Sequence, residues 1–156
     1  MTERSAVHDT FVLDRHFKAA PARVFNAIAD PVAKARWFGA PGDVKKEDEE
    51  FDFREGGRES VVSIFGDGTR FSFAATYTDI VPDERIVYTY EMAMNGRRIS
   101  VSVATVEVRA TADGGTDLVL TEQGVYLDGL DNSAQRRQGT IDLLDALDAS
   151  LQAAWS

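Results

Sequence analysis

The chain of 156 residues contains no cysteine and only two histidines, His8 and His16. Without Cys there are no thiol nucleophiles, no disulfides and no thiolate metal sites. The two histidines have no spacing that would set a pair of ligands on one helix face, so we expect no metal. A phosphate-cradling loop is also missing: Gly56-Gly57 and Gly114-Gly115 lack a GK[ST] ending and a strand-to-helix setting, and no G-x-S-x-G elbow occurs. The expectation is a protein without a cofactor. No apolar run nears the roughly 18 residues that span a bilayer, and Met1-Thr2-Glu3-Arg4-Ser5 lacks the basic-then-apolar pattern of a signal peptide, which points to the cytoplasm. Basic residues are scarce too. Seventeen Lys and Arg face 26 Asp and Glu, a formal net charge of −9, and no basic patch is segregated, which excludes nucleic acid and anionic membrane as partners.

What is present is the make-up of an ordinary globular domain, 44% hydrophobic, at a length where folding buries about 68–70% of the unfolded chain's surface. We read one domain over 1–156, with its core at about 10–154. In Thr10 to Lys18, Phe11, Leu13, Arg15 and Phe17 alternate with Val12, Asp14 and His16, the two-residue period of a strand. Pro21 then opens a short helix carrying Val24, Phe25 and Ile28, which Asp30-Pro31 ends. A second short helix carries Val32 to Trp37-Phe38 and stops at Gly39-Ala40-Pro41-Gly42. Five turn clusters follow, at Gly56-Gly57, Gly66-Asp67-Gly68, Pro82-Asp83-Glu84, Asn95-Gly96 and Asp113-Gly114-Gly115. They divide six strands at about 43–55, 58–65, 70–81, 85–94, 98–110 and 116–123, joined by short loops as an antiparallel meander. The mixed charge run Lys45 to Glu50 reads as a solvated loop or sheet edge. A long helix, from Asn132 or Ser133 to Ala154, closes the chain with Ile141, Leu144, Leu147 and Leu151 on one face.

The fold class is therefore α+β: a curved seven-stranded antiparallel sheet around a long C-terminal helix, with two short helices after the first strand. A single helix about 10 Å across fills only part of such a curved sheet, so a pocket is expected near one end of their seam.

The run Ala20-Pro21-Ala22-Arg23-Val24-Phe25-Asn26-Ala27, with Asp30-Pro31 and Ala35-Arg36-Trp37-Phe38-Gly39, resembles the N-terminal signature of the activator-of-heat-shock-protein-ATPase homologue family. That family belongs to the START-like (SRPBCC) helix-grip superfamily. Further matches run through Phe51 to Arg58, Val81 to Tyr90, Leu120-Thr121-Glu122-Gln123-Gly124 with Asp128-Gly129, then Arg136, Gly139 and Leu143-Leu144-Asp145. They cover about residues 10 to 152, in the order of the strands and helices. The resemblance implies a helix-grip fold with an apolar cavity between sheet and C-terminal helix. Many relatives have Gly-Trp where this chain has Gly139-Thr140, so that ring is absent here. The family's eukaryotic co-chaperones add a separate N-terminal domain, so chaperone activation is not carried over by name.

Among candidate site residues, Glu122 shares a strand face with Leu118 and Leu120 and falls near the strand end where the pocket is expected. Burial there would raise its carboxyl pKa and suit it to acid–base chemistry or ligand anchoring, unless a nearby arginine lowers it. Arg15 is the candidate partner. Gln123 points to the opposite face unless Gly124 marks a bulge. Gly124 and Gly129 permit the turn into the last helix, which leaves Tyr126 at the pocket mouth. The aromatics Trp37, Phe38, Phe53 and Phe73, with Tyr77, Tyr88 and Tyr90, suit an apolar cavity whose hydroxyls orient a polar group. Met92 and Met94 are gap-fillers. Gly139 costs its helix about 1 kcal/mol against Ala, which suggests close approach by sheet or ligand; with Leu143 it completes the candidate set. Arg136 and Arg137 read as surface cover.

We expect the chain to bind a small apolar or amphipathic molecule rather than to catalyse. One alternative is a cyclase- or lyase-type enzyme with Glu122 as acid or base; another is an interaction module of the stress response that docks on a chaperone. The strand Ile99 to Val108 is apolar on both faces around its middle, so a homodimer partner on the outer face is a further expectation.

Overall fold

A computed structural model describes residues 4–39 and 44–153. The chain runs β1 (Ala6–Phe17), α1 (Pro21–Ala29), α2 (Pro31–Ala35), β2 (Lys45–Phe51), β3 (Arg58–Ile64), β4 (Arg70–Val81), β5 (Arg85–Met94), β6 (Arg97–Ala110), β7 (Thr116–Leu127) and α3 (Ser133–Ala153). All seven strands form one antiparallel sheet in the order β1-β7-β6-β5-β4-β3-β2. This is the meander expected from the turn clusters, with β1 added beside β7. The charged run Lys45 to Glu50 lies in β2, an edge strand. Register shifts at Glu47/Glu50, Tyr77/Asp79 and Met92/Ala93 bend and twist the strands that carry them.

Proline and capping set the two short helices. Pro21 opens α1, where its missing N–H costs nothing. The Asp30 side chain accepts from the Ala33 backbone N–H at 2.9 Å, capping α2. α2 ends at Ala35 rather than at Trp37-Phe38. The Trp37 indole N–H donates to the Ala27 carbonyl at 2.8 Å, which ties the exit of α2 back to α1. The predicted stop from Ala40 onward, the start of β2 at 43 and the helix end at Ala154 lie outside the described residues.

β1 starts at Ala6 rather than Thr10, and two further strand boundaries shift. β7 continues to Leu127 instead of ending at Gln123, and Gly124 pairs in regular register with Asp9 and Ser102. No bulge occurs there, so Gln123 faces outward and is exposed. Gly124 serves space rather than a turn: a Cβ there would lie 2.9 Å from Tyr126 Oη and 3.1 Å from Ser102 Oγ. β2 ends at Phe51, which leaves Phe53 in the loop after it. There it packs on Phe25 and Tyr77, with ring centroids 5.8 and 4.9 Å away.

The core lies between the concave face of the sheet and the C-terminal half of α3. Phe17, Leu118 and Leu147 are 1% exposed, and Val24 of α1 is fully buried beside them. Burial of such a side chain stabilises by about 1.5–3 kcal/mol. Arg15, on the same face of β1, reaches Asp145 of α3 at 2.6 Å. β6 is apolar inward at Ala104, Val106 and Val108; outward, Val101 and Thr105 are partly buried and Val103 is exposed. Among the described residues no helix is long and apolar enough to cross a membrane.

Candidate functional site: an aromatic cavity with two buried polar clusters

The apolar stripe of α3 begins only at Ile141. The turns before it, Ser133 to Thr140, carry small and polar residues and cannot fill the concavity of β3 to β7. A cavity of about 610 Å³ remains between them, within the size range of small-molecule sites.

One wall is a chain of aromatic rings. Centroid separations are 5.7 Å for Trp37–Phe38, 5.6 Å for Phe38–Phe73, 5.1 Å for Phe73–Tyr90, 5.9 Å for Tyr90–Tyr88 and 5.8 Å for Tyr88–Tyr77. Phe73 and Tyr77 sit on β4, four residues apart, and Tyr88 and Tyr90 on β5, two apart; both are even spacings that keep a pair on one face. Met92 and Met94 continue the β5 face along the cavity.

Glu122 enters from β7 and is 2% exposed. The Tyr90 hydroxyl donates to its carboxylate, 2.9 Å from both oxygens. Arg136, on the first turn of α3, donates to Tyr90 Oη at 3.0 Å and to Ser100 Oγ at 2.9 Å, and it is ion-paired with Asp131. Its Nη1 stands 3.9 Å from Glu122. Burial raises the Glu122 carboxyl above its ordinary value, against the lowering effect of Tyr90 and Arg136. Burial pulls the Arg136 guanidinium down, but Tyr90, Asp131 and Glu122 outweigh it and leave it above its ordinary value. Burial likewise raises the Tyr90 phenol, with Glu122 adding to the effect.

A second cluster faces the cavity from α2, β3 and β4. Lys34 Nζ lies 2.5 Å from Glu59 Oε1, and the Tyr77 hydroxyl donates to the same oxygen at 2.5 Å. The ammonium also sits 4.4 Å from the centroid of Phe38 and 4.9 Å from that of Phe51, a cation–π arrangement. Burial lowers the Lys34 pKa, partly offset by Glu59.

Of the residues singled out in the sequence, Trp37, Phe38, Phe73, Tyr77, Tyr88, Tyr90, Glu122, Gly139 and Leu143 border the cavity. Arg15, Phe53 and Tyr126 do not. Arg15 is taken by Asp145, and the arginine beside Glu122 is Arg136, whose side chain is mostly covered and turned inward rather than spread over the surface. Tyr126 is 2% exposed, folded over Gly124 instead of standing at the mouth. Beyond its own stretch of helix, Gly139 has no described atom within 4 Å of where its Cβ would be, so no described part of the sheet comes that close. Lys34, Glu59, Ser100 and Asp131 escaped the sequence reading. Glu59 alternates with Val61 and Ser63 on β3, a signal that the neighbouring Val62 obscured; Lys34 and Asp131 carry no local signal.

Known proteins share this architecture. Residues 18–152 match the family model described as Activator of Hsp90 ATPase homolog 1-like protein. A solved structure from Rhizobium leguminosarum is 45% identical, covering 97% of this chain and 99% of that one with a TM-score of 0.91. The Mll3558 protein from Rhizobium loti is 40% identical over 94% of this chain and 99% of that one, TM-score 0.84. Protein CV1439 from Chromobacterium violaceum is 27% identical over 90% and 94%, TM-score 0.73. No curated protein matches the sequence at a significant level.

Proposed function

The chain belongs to the Activator of Hsp90 ATPase homolog 1-like family, and from that premise we propose that it binds a small, largely apolar molecule between its sheet and α3. The observation that carries this reading is the cavity of about 610 Å³ walled by aromatic rings. A cavity of that size lined by rings gives a bound apolar molecule dispersion contacts over most of its surface. Convergent polar groups at Glu122, Tyr90 and Arg136 give such a guest a fixed surface to lie against. Native mass spectrometry of protein purified from its own host tests the proposal: a co-purifying small molecule is the expected result. A protein that carries none, and whose melting temperature no member of a broad apolar library raises, would contradict it.

A second reading, acid–base catalysis, is favoured by the placement of Glu122, a buried carboxylate that borders the cavity and accepts from Tyr90, with burial raising its pKa. A carboxyl group raised above its ordinary value and set beside a cavity is placed to exchange a proton with a bound substrate. In that case Glu122→Gln would abolish a turnover detected in cyclisation or hydrolysis screens while the protein stays folded. An unchanged rate in that variant would remove Glu122 from the mechanism.

A further inference from the structure

The charged groups around the cavity narrow the class of guest. Two cations border it, Lys34 and Arg136, against three carboxylates, Glu59, Glu122 and Asp131. Both cations are already engaged. Lys34 is paired with Glu59 at 2.5 Å. Arg136 holds Asp131 and also donates to Ser100 and Tyr90. An organic acid entering this space would lose its hydration and find no free positive charge to replace it.

The tyrosine hydroxyls differ among themselves in the same way. Tyr77 donates to Glu59, and Tyr90 donates to Glu122 while accepting from Arg136. Tyr88 stands between them in the ring chain, 5.8 and 5.9 Å from its neighbours. It borders the cavity, and among the described residues no hydrogen bond reaches its hydroxyl. Burial raises its pKa well above the ordinary phenol value, so it remains an O–H donor at neutral pH. Of the three cavity tyrosines it is the one whose hydroxyl no other described group engages, which leaves it free to bond a guest.

We infer, building on the binding function proposed above, that the guest is a neutral, ring-containing molecule whose hydroxyl or carbonyl bonds Tyr88, and that ionised acids of the same shape are rejected. The flat rings of Phe73, Tyr88 and Tyr90 offer such a molecule stacking partners, and the Tyr88 hydroxyl fixes its orientation.

The test uses three probes of one shape: pyrenemethanol, pyrenecarboxylate and unsubstituted pyrene, titrated at neutral pH into the full-length protein and its Tyr88→Phe variant, with pyrene emission as readout. Tyr88→Phe keeps the ring and removes only the hydroxyl. We expect pyrenecarboxylate to bind at least about ten-fold more weakly than pyrenemethanol, the penalty of an unpaired buried charge. Tyr88→Phe should weaken pyrenemethanol by about five- to ten-fold, the loss of one hydrogen bond, and leave pyrene within about two-fold. Equal binding of alcohol and carboxylate would overturn the inference, as would a Tyr88→Phe effect of the same size on all three probes. Binding of none of the three would also overturn this inference, whereas the binding function itself falls only if the apolar library fails as well.

Discussion

The two halves of α3 face the same sheet and do opposite things. From Leu144 to Leu151 the helix presents leucines that are nearly inaccessible to solvent and pack against Phe17, Val24 and Leu118. From Ser133 to Thr140 it presents no large apolar side chain, and the seam stands open. One helix thus anchors the fold with its last turns and leaves space with its first. The open half is not featureless, since its rim carries Arg136 and the opposite wall carries the Lys34–Glu59 pair. Polar groups held in fixed bonds beside an aromatic-lined cavity suit the binding role proposed above.

Four substitutions sharpen or break this contrast. The largest effect is expected at Lys34→Ala, which leaves Glu59 buried without its cation and should cost about 3–5 kcal/mol by denaturant unfolding. A small change there would mean that the pair is not desolvated and that the open half is wetter than drawn. Leu151→Ala, in the packed half, should cost roughly 2–3 kcal/mol, because the terminal turns relax partly into the space created. Gly139→Ala, in the open half, should instead stabilise by about 1 kcal/mol, since the added methyl meets nothing and the helix gains propensity. Destabilisation at Gly139 would show that the sheet approaches closer than the geometry allows.

The smallest effect is a slope with pH. The folded-state pKa of Glu122 is raised by burial, so the folded chain holds this proton more tightly than the unfolded one. The stability it contributes is fully present below the unfolded value of about 4.5 and is lost as pH rises through the folded value. Glu122→Gln should flatten that part of the stability–pH curve while keeping an acceptor for Tyr90. An identical slope in both proteins would place the titration elsewhere.

Much of this was legible from periodicity. Alternation with Leu118 and Leu120 put Glu122 on the inner face, and the helical stripe Ile141, Leu144, Leu147, Leu151 marked the packed face of α3. The cavity runs along the polar turns of α3 and into the start of that stripe, where Leu144 and Leu147 also line it. Pairings between distant elements were not legible. Arg136 near a helix start looks like surface cover until Asp131, Ser100 and Tyr90 arrive from three other segments. Lys34 and Glu59 lie 25 residues apart, in stretches where neither residue breaks a hydrophobic pattern. Gly124 was read as a turn because glycine usually signals one; the ring of Tyr126, two residues on, is what requires it.

The central claim is that the first half of α3 fronts space open to a guest. Thr140 borders that space. Titration of pyrenemethanol into wild type and Thr140→Trp tests the claim most directly. The account predicts a variant that melts within a few degrees of wild type yet binds at least about ten-fold more weakly, because the indole occupies the cavity. Unchanged affinity in a folded variant would contradict it.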